Sequence, residues 1–418
     1  MLESMHVITC YKRNVFIKTF YMTLLNLSDE VGRPMAVSFQ DKSLLILSNS
    51  YPDRDNSYYG GIFVKEQVKE LRKYFKNVYV ISPQPWGTNR MLRDYEYENV
   101  RVFFPRFLHA PIGYFRRRLG DNFFKSALRV IKNEGLEFDI IHAHFTWPSG
   151  YAGAKLKETY GVPLVITTHG LHTTRLEYLL SRNARYVWES SDAIINVSPK
   201  CVDLLEKFGV PISKLYYVPN GVDLTLFYPM DFKDLRKKMG IPLDKKVIVS
   251  VGNLVEKKGY IYLIYAVKEI LKYRDDLLVY IVGSGPLYDA LVREIKRLHL
   301  DTYIYLVGHK PHNKIPLWMN ICDVFVLPSL VENFGVVNIE ALACGKPVVS
   351  TYNGGSEEII TSEDYGFLCP PRDSKCLAEK ILIALEKDWD REKIRQYAEQ
   401  FTWGRVAERI LEVYSEVI

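Results

Sequence analysis

Short, unbroken apolar runs alternate with helix-patterned segments through nearly the whole chain, and this rhythm limits the fold more than any other feature. A first series runs Ser43–Ser48, Val78–Ser82, Val100–Phe104, Ile140–His144, Leu164–Thr168 and Ile194–Val197. A second runs Val247–Val251, Leu278–Val282, Tyr303–Val307, Val324–Leu327 and Val348–Ser350. Strands that are apolar on both faces need helices above and below them, which means parallel sheets with crossover helices; an antiparallel sandwich would alternate polar and apolar residues. The spacing of Val64, Val68, Leu71 and Phe75 predicts one helical stripe, and Leu287, Leu291, Ile295 and Leu298 another. A single core stops growing at roughly 250–300 residues, so the 418 residues predict two doubly wound α/β domains with a ligand cleft between them. The domain boundary is expected at residues 212 and 213, before the Val218–Asp223 turn and the charged stretch Asp231–Lys238. Residues 1–41 precede the first clear strand, as a packed extension, a peripheral anchor, or the product of a start assigned upstream of Met35. No repeat of 20–50 residues is visible beyond the βα rhythm.

Composition narrows the function classes. With 48% hydrophobic and 25% charged residues the chain reads as a soluble globular protein, not a disordered or collagenous one. Lys and Arg exceed Asp and Glu by 55 to 49, a mild surplus that suits anionic ligands and does not demand nucleic acid. Cys10, Cys201, Cys322, Cys344, Cys369 and Cys376 lack the spacing of zinc ribbons and redox pairs, so reduced thiols are expected. No run of about 18 apolar residues occurs. Val15–Leu27 is interrupted by Lys18, Thr19, Thr23 and Asn26, and Lys12 and Arg13 are followed by no small-residue cleavage site. A cytoplasmic protein is the expectation.

In parallel sheets, ligands gather beyond the carboxyl ends of strands, and five loops there carry glycine, charge or imidazole. Asn49–Gly61 ends in Gly60 and Gly61 at a helix start, where a backbone without Cβ atoms can approach an anion or simply turn. His142 and His144 lie two apart on one strand and so share a face, followed by His169 at the end of the next strand. A metal reading is poor, because no third and fourth ligands sit at recognisable spacing. Gly252–Gly259 places Asn253 and Lys258 beside a helix start, fitting a diphosphate, although solvated lysines are the plainer reading. Gly283 and Gly285 open another helix and fit either close nucleotide approach or a structural turn. The last loop runs Pro328–Gly335 into a helix that closes at Gly345. Its Glu332 and Glu340 suit sugar hydroxyls on either side of a bound phosphate; the plainer reading is one capping acid and one solvated acid.

Together the loops resemble the retaining glycosyltransferases of the GT-B fold, family four, from about Ser43 to the C-terminus. Glu332 and Glu340 look like that family's paired glutamates, set in Glu332-Asn333-Phe334-Gly335 and followed by Glu340-Ala341-Leu342-Ala343-Cys344-Gly345-Lys346-Pro347. Gly354-Gly355-Ser356-Glu357-Glu358-Ile359 is similar to the family's Gly-Gly-x-Pro-Glu-Ile element, with Glu357 where the proline stands. The resemblance implies a nucleoside diphosphate sugar as donor, two Rossmann-like domains, and a last helix, beginning near Phe401-Thr402-Trp403, that crosses back to the first domain. It implies that Glu332 meets the donor sugar, Glu340 the ribose, Lys258 the diphosphate, and the backbone at Phe334, Gly335 and Val336 the sugar and diphosphate. Gly60 and Gly61 would meet the diphosphate and acceptor, His144 would act in catalysis, and His169 falls on the acceptor side. Asn253 replaces the family's usual arginine and removes one charge. Base recognition falls on Gly308–Pro316.

The chemistry so implied is transfer of a hexosyl group through an oxocarbenium-like state, with Lys258, Asn253 and N–H groups near Gly335 taking up the leaving-group charge without a divalent ion or other cofactor. Acceptors in view are a glycan, a lipid-linked sugar or a small molecule. Tyr114, Phe115, Arg116–Arg118, Phe123 and Phe124 form a basic, aromatic stretch suited to an anionic bilayer or to an ordinary helix face. Rival readings are a sugar-nucleotide epimerase of the same architecture and a weakly catalytic sugar-nucleotide-binding subunit. A nicotinamide dehydrogenase lacks its Gly-x-Gly-x-x-Gly in both candidate loops.

Overall fold

Ser43–Ser48 is buried at all six positions, because it lies in the middle of an eight-stranded sheet with helices on both faces. A computed structural model of the chain describes residues 37–58, 60–87, 92–108, 118–170 and 182–418. The sheet order is Leu215–Tyr217, Ala193–Asn196, Leu164–Thr168, Ile140–His144, Ser43–Ser48, Asn77–Ile81, Val100–Phe103 and Tyr95–Tyr97. Leu45 pairs with Tyr79 on one side and Ile141 on the other, both in parallel. A second sheet of six parallel strands has the order Ile304–Gly308, Leu277–Val282, Lys246–Val251, Val324–Leu327, Val348–Thr351 and Gly366–Cys369.

In each sheet the chain winds outward one way from its first strand and then returns to build on the other side. The reversal opens a crevice beyond the carboxyl ends of Ser43–Ser48 and Ile140–His144 in the first sheet, and of Lys246–Val251 and Val324–Leu327 in the second. Both helical stripes face inward. Val64, Val68 and Leu71 are fully buried on the helix Ile62–Leu71, and Leu291 and Ile295 are buried on Tyr288–Arg297. Each such side chain contributes roughly 1.5–3 kcal/mol of transfer free energy. Asp373, Asp390 and Thr402 cap helix N-termini with their side chains.

Three edge strands depart from the sequence reading, one of them Gly366–Cys369 at the edge of the second sheet. Leu215–Tyr217 pairs in parallel with Ala193–Asn196, so the first sheet continues past the boundary expected at 212 and 213. Tyr95–Tyr97 runs antiparallel to Val100–Phe103 at the other edge. The helix Trp403–Ser415 lies against the first sheet's helix Ile62–Leu71, and its Tyr414 packs edge-on against Phe39 and Phe75, with ring centroids 6.2 and 6.0 Å away. Phe123 is buried beside Phe107, which removes it from any surface for acceptor or bilayer. Tyr114–Arg117 lie outside the described residues. Among the described residues no helix is long and apolar enough to cross a membrane.

Candidate active site

The two loops at the second sheet's reversal are pressed together backbone to backbone. Gly259 sits at φ +63, and a Cβ there would run into the Pro328 carbonyl. Leu330 N–H donates to the Lys257 carbonyl at 2.7 Å. This packing delivers Lys258 Nζ to Glu332 Oε1 at 2.5 Å, with side chains only 15% and 11% exposed. Ser329 Oγ donates to the same carboxylate oxygen at 2.6 Å, and Glu332 N–H donates to the Asn353 carbonyl at 2.9 Å. Three residues after Glu332, Gly335 turns the chain at φ +82 into the helix Val336–Ala343, whose first turn has no side-chain cap. Free N–H groups, the helix dipole and a lysine thus converge at one point, an arrangement that favours a polyanion.

The first sheet's reversal presents three imidazoles in a stack. His142 and His144, on one face of Ile140–His144, lie with ring centroids 4.6 Å apart, and His169 continues the stack 5.2 Å from His144. Only His144 and His169 are left for chemistry. His142 is spent on structure: Nδ1 bonds the Tyr414 hydroxyl at 2.6 Å and Nε2 bonds Thr167 Oγ1 at 2.7 Å. His144 Nδ1 and His169 Nε2 are 2.9 Å apart, while the buried Nε2 of His144 has no partner among the described residues. Burial draws His142 and His169 down to about 3, the latter helped by the charge of His142. Burial, then His142 and His169, hold His144 well below the usual range. All three are neutral at pH 7.

Asn333 joins the two halves. Its amide donates to the His169 carbonyl at 2.7 Å, and it fills the space beside Gly170, φ +125, that a Cβ would need. A lysine–carboxylate pair at a helix start, facing unprotonated imidazoles across a cleft, suits sugar–phosphate chemistry. Residues 60–226 match the family described as Glycosyltransferase Family 4, and residues 231–401 match Glycosyl transferases group 1. Over 304 residues the chain is 30% identical to the D-inositol 3-phosphate glycosyltransferase of Paenarthrobacter aurescens, spanning 67% of this chain and 73% of that one. The chain belongs to the family-four glycosyltransferases. Its fold is GT-B. Sucrose-phosphate synthase from Thermosynechococcus elongatus superimposes with a TM-score of 0.72 at 22% identity, covering 90% of this chain and 98% of that one. Anabaena HepE, solved with UDP-glucose, gives 0.68 at 22% identity, covering 90% and 100%.

The glycosyltransferase places its remaining sequence candidates unevenly. Glu340, on the helix after Gly335, is buried and bonded by His312 Nε2 at 3.1 Å. Burial alone would lower His312, but the hydrogen bond and charge of Glu340, with Glu66 and Asp223 behind it, raise it overall. Gly61 adopts φ +79 with its Cβ position blocked by the Ser50 carbonyl, and at Gly60 the Tyr58 and Ser50 side chains fill that space. Asn253 is exposed. Gly283 and Gly285 press against the backbone of Gly252 and Leu254, so loop packing alone accounts for both glycines. The Phe334 side chain is core, 6.1 Å from Phe401, which leaves only its backbone for a ligand.

Sequence reasoning passed over Tyr414, and it gave Ser329, Asn333 and His312 no role of their own within the Pro328–Gly335 and Gly308–Pro316 stretches it singled out. A second bridge between the lobes was also unseen: Lys200 Nζ meets Glu357 Oε1 at 2.7 Å, through the glutamate that departs from the family's proline. Among the described residues no group of three or more His, Cys, Asp or Glu is placed to hold a metal ion. A depression of about 530 Å³ lined by Lys157, Pro163 and Asp192 lies at the opposite, amino-terminal end of Leu164–Thr168, where Lys157 and Asp192 already pair at 2.6 Å.

Proposed function

We propose that this glycosyltransferase moves a hexosyl group from a nucleoside diphosphate sugar to a carbohydrate, lipid-linked or small-molecule acceptor, with retained anomeric configuration and without a divalent ion. The supporting observation is the Lys258–Glu332 pair at the uncapped start of Val336–Ala343. In the structure each group neutralises the other. An incoming diphosphate competes for Lys258, and its capture frees Glu332 to accept hydrogen bonds from donor-sugar hydroxyls. Glu340, held by His312, would accept hydrogen bonds from the ribose. The UDP-glucose held by HepE, which shares this fold, supports the same class of donor.

As the glycosidic bond to the diphosphate breaks, positive charge develops on the sugar and negative charge on the leaving group. Lys258 and the N–H groups at Gly335 and Val336 are fixed dipoles and charge aimed at the second of these. His144 is neutral, with its Nε2 buried and unpartnered among the described residues, so it offers one hydrogen bond to the sugar without adding repulsion to the cationic state. Asn333 and the Lys200–Glu357 pair hold the lobes together and help exclude water that would hydrolyse the donor.

The test begins with thermal shifts against UDP, GDP, ADP and their sugar conjugates, since a ligand at 100 times its Kd adds about 2.7 kcal/mol. One nucleotide series is expected to stabilise the protein and to support transfer with the donor's anomeric configuration preserved by NMR and with full rate in EDTA. No stabilisation by any nucleotide would remove the donor assignment. An inverted product would remove retention, and loss of rate in EDTA would remove metal independence.

A further inference from the structure

Two of the cysteines are far closer than packing requires. The edge strand Gly366–Cys369 is followed by Pro370-Pro371-Arg372-Asp373 and the helix Ser374–Glu386. Arg372 adopts φ +68, and Asp373 Oδ1 accepts the N–H groups of Lys375 and Cys376 at 3.1 and 2.9 Å, which fixes the first turn of the helix over the strand end. Cys369 Sγ and Cys376 Sγ then lie 2.8 Å apart, inside the contact distance of two unbonded sulfurs and less than an ångström longer than a disulfide bond of about 2.05 Å. Cys369 is fully buried and Cys376 is partly open to solvent. Cys322, by contrast, is buried and directs its thiol to the Met319 carbonyl at 3.1 Å.

We propose that Cys369 and Cys376 are a dithiol that closes to an intramolecular disulfide by exchange with a low-molecular-weight disulfide. Cys376, the accessible member, loses its proton to solvent and attacks one sulfur of the small disulfide, forming a mixed disulfide and expelling one thiolate. Cys369 then loses its proton and attacks Cys376 Sγ, expelling the second thiolate. The protein gives up two protons and two electrons, and the small disulfide is reduced to two thiols. Burial, then the contact with Cys376, push the Cys369 thiol up, which makes it the resolving sulfur and the slower step.

The bond would fasten the helix to the strand that borders the donor side. Cys369 pairs with Thr351, and its carbonyl accepts Tyr352 N–H at 2.9 Å. The next residue, Asn353, holds the backbone of Glu332. The covalent link therefore acts on the second sheet and not on the reacting groups, so its main effect is on stability.

The experiment uses the purified full-length chain, fully reduced and then exposed to excess oxidised glutathione, quenched in acid, alkylated and digested with trypsin. Trypsin cuts after Arg372 and Lys375 but not between Lys346 and Pro347, so the peptide ending at Arg372 also carries Cys322 and Cys344. It and the peptide beginning at Cys376 are expected as a single linked species, two hydrogens lighter and free of glutathione, with fragmentation placing the bond on Cys369. The oxidised protein is expected to melt about 5 °C above the reduced one, as for an eight-residue loop closed by a cross-link. C376S is expected to show neither the link nor the shift; should C376S fail to fold, the wild-type peptide map decides alone. Full alkylation of both thiols after oxidation, a glutathione adduct persisting on Cys376, or either cysteine linked to another position would overturn the proposal.

Discussion

The histidine stack makes a strong demand on pH. His142 is fully buried, with both ring nitrogens engaged and its pKa drawn to about 3, whereas in the unfolded chain it returns to about 6.5. Above pH 6.5 neither state binds the proton and the stabilisation is complete. As pH falls below 6.5 the unfolded chain takes up a proton that the folded one refuses, and stability drops until the folded group also titrates near 3. At pH 5 the loss is about 1.36 × 1.5, or about 2 kcal/mol, for His142 alone, and it does not depend on how far below 4 the folded value lies. His144 adds a loss of the same sign, since its shift has the same direction.

The perturbation that isolates this effect is His142→Gln, which keeps a polar side chain beside Tyr414 and Thr167 but cannot titrate. Urea unfolding of wild type and variant at pH 7.5, 6, 5.5 and 5 gives two stability curves. The variant is less stable at pH 7.5, because an amide does not reproduce the imidazole's two bonds, but between pH 6 and 5 its curve should be shallower by about 1.2 kcal/mol, close to one proton's worth. Carboxylates titrate in both proteins and cancel in the difference. Parallel curves would mean that His142 is protonated in the folded protein, and the neutral stack would be refuted.

Lys258→Ala should lower transfer by about 10²–10³-fold at saturating donor, as for loss of one fixed leaving-group donor; unchanged turnover would remove Lys258 from the mechanism. His312 is raised by Glu340, so its charge, present at pH 6, is lost as pH climbs through its raised folded value. Nucleotide affinity should therefore weaken from pH 6 to 9 in wild type and stay level in His312→Gln, measured by calorimetry. Gly61→Ala meets both a left-handed φ and the Ser50 carbonyl, and should cost about 1–3 kcal/mol by chemical unfolding. A loss under 0.5 kcal/mol would show that the loop yields freely.

Most strands were legible because burial on both faces writes itself into sequence as an unbroken apolar run, and Ser43–Ser48 or Val324–Leu327 could hardly be read otherwise. The missed edges are short, and the two in the first sheet are mixed, whereas Gly366–Cys369 is mostly buried but only four residues long. Leu215–Tyr217 has three residues, one of them buried, and Tyr95-Glu96-Tyr97 is partly or fully exposed throughout; such segments look like loops until a neighbour supplies the hydrogen bonds. The candidate glutamates and Lys258 stood out by residue type and by the family resemblance, but their ion pair did not. Lys258 and Glu332 meet only because Lys246–Val251 and Val324–Leu327 are neighbours in the sheet, a fact of strand order that local sequence does not encode. The two histidines illustrate the same limit. Period-two spacing put them on one face, yet assigning His142 to structure required Tyr414, 272 residues away.

That long-range contact also ties stability to the site. The last helix begins under the second sheet, where the Phe401 carbonyl accepts Val222 N–H at 2.7 Å and Trp403 covers Gly221, and it ends at the His142 ring under the first. A single rigid element thus touches both lobes behind the cleft, while Asn333 and Lys200–Glu357 join them at its mouth. The contacts behind the cleft are mostly buried, whereas Lys200 is more than half exposed, so solvent and salt weaken the front bridge and leave the rear intact. Parting the lobes at the mouth then requires breaking only these polar contacts, about 1–3 kcal/mol, and a ligand that binds both lobes adds its own contacts to that cost.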